Sequence, residues 1–182
     1  QTTGFVTTNT HIPEKIRIHG NKVWADANNQ DGIRPDSITI YIKKGSDIVE
    51  TITLTNGSDK VWQDSELVWT SQELPKYENG QVITYTAEEA PVSGYDTTMT
   101  GNMTDGFEIT NTHVPEKVKF YGNKVWDDQN DVEGFRPDSI TINIMKGTEI
   151  VQTITLTNGE DKVWQADELK WESNEFPKKE NG

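Results

Sequence analysis

The chain repeats itself, and the repeat limits what it can fold into more than any other feature. Gly20-Asn21-Lys22-Val23-Trp24 returns as Gly122-Asn123-Lys124-Val125-Trp126. Phe5–Lys15 matches Phe107–Lys117, Gly32–Ser37 matches Gly134–Ser139, and Thr51–Gly57 matches Thr153–Gly159. From Lys22 to Lys124 and from Gly57 to Gly159 alike the spacing is 102 residues, so nothing is inserted between the copies. Such a period implies one fold unit of about 100 residues used serially. Three pieces are expected: residues 1–11 as the C-terminal strand of a preceding module, 12–113 as a complete module, and 114–182 as the N-terminal part of a following one. The joints are His11-Ile12-Pro13 and His113-Val114-Pro115. Proline there favours an extended, semi-rigid connection and offers no ladder N–H. The sequence reads as an excerpt from a longer tandem array.

Within a module the pattern is that of strands. Residues i and i+2 share a strand face. Ser37–Lys43 places Ile38, Ile40 and Ile42 together, and Ile48–Leu54 reads as the next strand, closed by Asn56-Gly57. Val61-Trp62 and Leu67–Trp69 are predicted short strands, and Leu74–Gly80 a turn region. Gln81–Glu89 is a predicted strand broken by Pro91–Tyr95, followed by strands at Asp96–Met99 and Phe107–Thr112. Asp26–Gly32 is dense in turn formers, and no helical period appears. The expectation is all-β: β-sandwich modules in tandem. Only 32% of the residues are hydrophobic, so each core is thin. A net charge of −13 argues against nucleic acid and anionic membrane surfaces as partners. The absence of cysteine removes disulfides, thiolate metal sites and thiol nucleophiles. No run is long enough for a membrane helix, and no membrane insertion is expected.

The repeated pentapeptide carries an anomaly. One face reads Ile16, Ile18, Gly20, Lys22, Trp24, and in the second copy Val118, Phe120, Gly122, Lys124, Trp126. An ammonium on an apolar face is costly unless it is paired, neutralised or consumed. Glu89 shares the face of Ile83, Tyr85 and Ala87, and Asn111 that of Phe107 and Ile109. Three polar residues on apolar faces suggest a network. Two readings fit. In the first, Lys22 and Glu89 are a buried pair with Asn111 as hydrogen-bond partner. In the second the chemistry is covalent. A desolvated lysine loses its proton readily and becomes a nucleophile. A protonated Glu89 polarises the Asn111 carboxamide. Attack of Lys22 Nζ on Asn111 Cγ then expels ammonia and leaves an isopeptide bond, with folding itself orienting the reactants.

Other signals are weaker. Asp26-x-Asn28-x-Gln30 resembles a calcium loop only out of register, and neither a metal nor another cofactor is expected. His11, His19 and His113 show no ligand spacing, and the two at the joints are expected to be exposed or packed on a neighbouring module. Asn56-Gly57-Ser58 and Asn102-Met103-Thr104 match glycosylation sequons and are expected to be idle. Trp24 is expected in the core, whereas an exposed pair of Trp62 and Trp69 would signal ligand binding.

Gly20–Asp26, Asp31–Pro35, Leu74–Tyr77, Ile83–Glu89, Gly94-Tyr95 and Phe107–Thr112 together resemble the B-region domain of Gram-positive collagen adhesins, the Cna B-type domain. The resemblance spans residues 13–113 and the front of the next module. It implies a Greek-key, prealbumin-like β-sandwich and a place in the stalk of a wall-anchored adhesin or pilin. In many members it also implies an autocatalytic Lys–Asn isopeptide bond between first and last strands, promoted by an acid. Placed on this sequence, the lysine falls on Lys22 and Lys124, the catalytic acid on Glu89 rather than Glu88, and the asparagine on Asn111 and Asn9. Lys124 and Asn9 lack their counterparts here. The expected function is a structural spacer repeat of an extracellular, cell-wall-anchored surface protein, and not a turnover enzyme, because the chemistry consumes its own side chains once. Its partners would be neighbouring repeats of the same chain, with host matrix or glycan contacted through another region. The alternative is an adhesin module that itself binds host matrix protein or glycan.

Overall fold

The computed structural model describes residues 4–57, 62–159, 164–166 and 168–180. Val61 and Ser58 lie outside these, and Trp62 is not in a strand. The chain divides into two units, one reaching Val114 and the other Pro115–Glu180.

The first unit runs β1 (Lys15–Ile16), β2 (His19–Ala25), β3 (Ser37–Lys44), β4 (Asp47–Thr55), a 3-10 turn (Asp64–Glu66), β5 (Val68–Thr70), β6 (Leu74–Pro75), β7 (Tyr77–Glu78), β8 (Gln81–Val82), β9 (Tyr85–Glu89), β10 (Asp96–Asn102) and β11 (Gly106–Thr112). β3 is built by alternation: Ile38, Ile40 and Ile42 are buried, while Thr39 and Tyr41 face outward. It folds back into β4 through a two-residue turn, Gly45-Ser46, where Gly45 adopts φ 61° without a Cβ penalty.

Two sheets result. One has the order β10-β11-β2-β5 and the other β4-β3-β9. Trp69, Phe107 and Ile109 from the first, Ile38, Ile40, Ile42, Tyr85 and Ala87 from the second, and Ile18 just ahead of β2 enclose a single core. This is the Greek-key β-sandwich expected. β2 and β11, near opposite ends of the module, lie side by side and parallel, with Ile109 opposite Lys22 and Asn111 opposite Trp24. Their neighbours in that sheet, β10 and β5, are antiparallel to them.

Four details depart from the sequence reading. The face from Ile16 to Trp24 is not one strand. The chain steps at Arg17-Ile18, where Ile18 N donates to Ser71 Oγ at 2.8 Å and Ser71 N to Ile18 O at 2.7 Å. Leu74–Gly80, expected as a turn, contains β6 and β7, because Leu74 and Pro75 find partners in Ile16 and Lys15. The expected strand Gln81–Glu89 is interrupted at Ile83-Thr84: Ile83 N still donates to Lys76 O at 3.0 Å, in register with the β7–β8 pair, before β9 pairs with β3 instead. Residues 4–14, expected to include a closing strand, form none, and Phe5 and Val6 are exposed. A lone strand has no ladder to join and no face to bury.

The second unit contains β12 (Lys117–Val118), β13 (Tyr121–Asn123), β14 (Ser139–Lys146), β15 (Glu149–Thr157), β16 (Lys170–Glu172) and β17 (Phe176–Pro177). They pair β12 with β17, β13 with β16 and β14 with β15, repeating the early pairings of the first unit.

Candidate cross-linking site

Lys22, Glu89 and Asn111 meet inside the first unit. They are 2%, 8% and 0% exposed as residues, and the side chains of Lys22 and Glu89 have no exposed surface at all. Lys22 and Asn111 come from the adjacent parallel strands β2 and β11, on one face and two positions apart in register. Glu89 comes from β9 in the opposite sheet. Lys22 Nζ lies 3.7 Å from Glu89 Oε1, donates to Val23 O at 3.0 Å, and stands 4.3 Å from the Trp24 ring centroid. Burial pulls the lysine down from 10.5 to about 8, against the opposing influence of the Glu89 carboxylate. Glu89 Oε2 and Asn111 Oδ1 both contact the Thr97 hydroxyl, at 3.1 and 2.8 Å. Glu89 Oε1 and Asn111 Nδ2 are buried without a hydrogen-bond partner among the described residues. Such atoms ordinarily cost about 1–3 kcal/mol each, so their presence side by side in one buried site asks for a reason.

The motif explains how the lysine is held. A Cβ on Gly20 would stand 2.3 Å from Phe107 O and 2.5 Å from the Trp69 ring, so only glycine admits both β11 and the indole. Lys22 N donates to Leu67 O at 2.7 Å, fixing the strand on its other side. Trp24 covers the ammonium and is packed in turn by Tyr95, at 5.0 Å edge-on, and Arg34. Beneath these sits Asp26. Arg34 donates to both its oxygens at 2.7 and 2.6 Å, Tyr95 Oη donates at 2.9 Å and Asn29 N at 3.0 Å. Burial works to raise the Asp26 carboxyl, but these donors outweigh it and hold it below its usual range. Burial and the Asp26 carboxylate push the Tyr95 hydroxyl well up, so it remains a donor. Sequence reasoning gave this Asp26–Arg34–Tyr95 group no role. The available signal was the recurrence of the pair as Asp128 and Arg136.

The Asp26-x-Asn28-x-Gln30 run is a turn, not a ligand loop. Its aspartate is committed to Arg34, and Ala27, Asn28 and Asn29 take φ of 52°, 59° and 59°. Trp62 and Trp69 are both buried, which removes the exposed pair a sugar-stacking surface would need. His113 turns onto its own module, with Nε2 2.9 Å from Asp31 Oδ2 and Nδ1 2.9 Å from Gly94 O.

The family model of the Cna protein B-type domain matches residues 18–112 and again 120–182. The chain belongs to the Cna B-type family. Over 180 residues it is 31% identical to a collagen adhesin of Staphylococcus aureus, in an alignment covering 98% of this chain and 14% of that protein. It also resembles the solved structure of two B repeat units of the collagen binding protein of Staphylococcus aureus, with a TM-score of 0.71 and 28% identity over 91% of this chain and 41% of that one. The chain therefore spans about a seventh of the length of the curated relative it matches.

In Cna B-type terms the second unit repeats the lysine without the rest of the constellation. Lys124 is half-exposed, hydrogen-bonds Val125 O, and lies 3.9 Å from the Trp126 centroid. Asn9, the other counterpart, is exposed.

Proposed function

We propose that this chain is a run of Cna B-type spacer repeats from the stalk of an extracellular, cell-wall-anchored bacterial surface adhesin, and that its complete module closes an autocatalytic isopeptide bond between Lys22 and Asn111. The observation that carries the reading is the dry meeting of Lys22, Glu89 and Asn111, with Glu89 Oε1 and Asn111 Nδ2 lacking a hydrogen-bond partner among the described residues. One of those atoms faces the amine, and the other is the nitrogen that must leave. A buried pair kept only for stability would satisfy them, because a half-satisfied network is worse than an apolar core.

In the dry site Lys22 gives a proton to Glu89, since two neutral groups cost less there than two ions. The free amine attacks Asn111 Cγ. The Nζ–Cγ bond forms, the Cγ–Nδ2 bond breaks, and the departing nitrogen collects a proton and leaves as ammonia. Glu89 is the catalytic acid–base and is regenerated. The lysine and asparagine are consumed, so the reaction runs once. A bond closing about ninety residues restricts the unfolded chain by about 4–5 kcal/mol in the loop-entropy picture. That supplies a thin-cored, cysteine-free module with a covalent staple. The relationship to a collagen adhesin supports the assignment to a surface protein, with contact to host matrix or glycan falling to other regions of the parent.

Intact mass spectrometry of the folded chain tests the reading. The mass is expected to fall short of the formula by one ammonia, and Glu89→Ala to restore the full value. A well-folded chain at full mass would leave only the buried pair.

A further inference from the structure

One hydroxyl touches both the acid and the electrophile. Thr97 lies on β10 opposite Asn111 in register. Its Oγ1 is 2.8 Å from Asn111 Oδ1 and 3.1 Å from Glu89 Oε2. A threonine hydroxyl has one hydrogen. With the carboxamide oriented as in the structure, Asn111 Oδ1 can only accept. Thr97 therefore gives its hydrogen to the shorter, carbonyl contact. The contact with Glu89 is then a hydrogen bond only when Glu89 carries a proton on Oε2 and donates it. The other carboxyl oxygen, Oε1, faces Lys22 Nζ at 3.7 Å. Glu89 thus points one oxygen at the nucleophile and the other, through a hydroxyl, at the carbonyl. Thr97 itself is exposed on the edge strand β10, so core packing does not explain the choice of a hydroxyl there.

We propose that Thr97 is a catalytic residue of the cross-linking reaction, relaying a proton from Glu89 to the Asn111 carbonyl oxygen while Glu89 takes up the proton of the attacking amine. The proposal rests on the Lys22–Asn111 reading above. In the first step neutral Lys22 Nζ bonds to Cγ and releases a proton to Glu89 Oε1. The proton on Oε2 passes to Thr97 Oγ1, whose own hydrogen passes to Oδ1. The product is an uncharged tetrahedral carbon bearing one hydroxyl, one amino group and the lysine nitrogen. In the second step the relay runs backwards. The hydroxyl hydrogen returns through Thr97 to Oε2, the proton on Oε1 moves to Nδ2, and Cγ–Nδ2 breaks with loss of ammonia. Glu89 and Thr97 finish as they began. No ion is created at either step, as the fully buried Lys22 and Glu89 side chains require.

The test follows conversion in chains recovered unfolded and then refolded, sampled over time for intact mass. Wild type is expected to lose ammonia promptly. Thr97→Val keeps the shape and removes the relay, and is expected to slow the loss at least about 100-fold, the usual share of a general acid. Thr97→Ala, which only deletes atoms, is expected to behave the same way, so a folding fault peculiar to valine does not decide the outcome. Thr97→Ser restores a hydroxyl and is expected to recover most of the rate, which a merely structural threonine would not require. Folding of each is checked by tryptophan fluorescence. If both hydroxyl-free variants convert at the wild-type rate, the relay is wrong and the isopeptide reading stands. If folded wild type loses no ammonia, the isopeptide reading itself fails.

Discussion

The two copies of Gly-Asn-Lys-Val-Trp make the same local contacts and arrive in different surroundings. Lys22 Nζ bonds Val23 O and covers Trp24; Lys124 Nζ bonds Val125 O and covers Trp126. Both contacts reach no further than two residues, so the pentapeptide supplies them itself. The turn that follows behaves alike, with Arg34 on Asp26 and Arg136 on Asp128. The neighbouring strand recurs as well: Lys22 N donates to Leu67 O and Lys124 N to Leu169 O, both at 2.7 Å. What differs is what β9, β10 and β11 supply to Lys22 alone. Lys22 has β11 beside it and Glu89 above it, and is dry. Lys124 is half-exposed, and Phe120, the counterpart of the fully buried Ile18, is 44% exposed. The motif positions a lysine; strands from the far end of the module bury it. Desolvation is therefore a long-range property here, and orientation a local one.

Three experiments probe this contrast. The largest effect is expected from Asn111→Ala, which removes the proposed electrophile and with it the proposed staple. The first unit should lose about 4 kcal/mol, or about 15–30 °C in melting temperature, together with the ammonia deficit. Lys124→Ala should leave the deficit untouched. Calorimetry and mass spectrometry read both, and an Asn111→Ala chain melting with the wild type would break the comparison at its centre.

Arg34→Ala comes next. It strands the Asp26 carboxylate, whose side chain is 1% exposed, and should cost about 3–4 kcal/mol. Arg136→Ala strands Asp128, which is 32% exposed and can be solvated, so its effect on the second unit should be clearly smaller. Equal losses in denaturant titrations would mean that burial does not distinguish the two turns.

The smallest effect is in pH. In the uncross-linked Asn111→Ala chain, Lys22 sits at about 8 in the fold against 10.5 for the free group. Between those values the unfolded chain binds more protons than the folded one, so stability rises with pH across that window and levels off above it. Below about pH 8 the folded state carries the full burden of the buried charge. The melting temperature of Asn111→Ala, compared with Lys22→Ala/Asn111→Ala, should show this rise. A flat difference would place Lys22 in solvent.

The division between local and distant also explains what could be read in advance. β2, β3, β4 and β11 follow from alternation in a few residues. Lys22, Glu89 and Asn111 stood out because each broke an apolar face. The short pairs β1–β6 and β7–β8 did not, since two residues carry no period and pairing alone creates them. Trp62 and Trp69 were ambiguous for a related reason: an aromatic outside a periodic strand shows its face only once the sandwich closes. Thr97 was invisible as a site residue, because its place depends on the β10–β11 register and on a glutamate from the other sheet.

The parallel neighbours β2 and β11 have a mechanical consequence. The chain enters the module near one end of β2 and leaves beyond the opposite end of β11, so tension along a stalk would shear the pair lengthwise. With Lys22 joined to Asn111, that tension bypasses the roughly ninety residues between them. Fully drawn out, those residues would span about 300 Å. Held behind the bond, they add nothing to the length of the stalk. Each complete module would then behave as an inextensible link rather than a spring, keeping whatever lies at its tip at a fixed distance from its anchor under load.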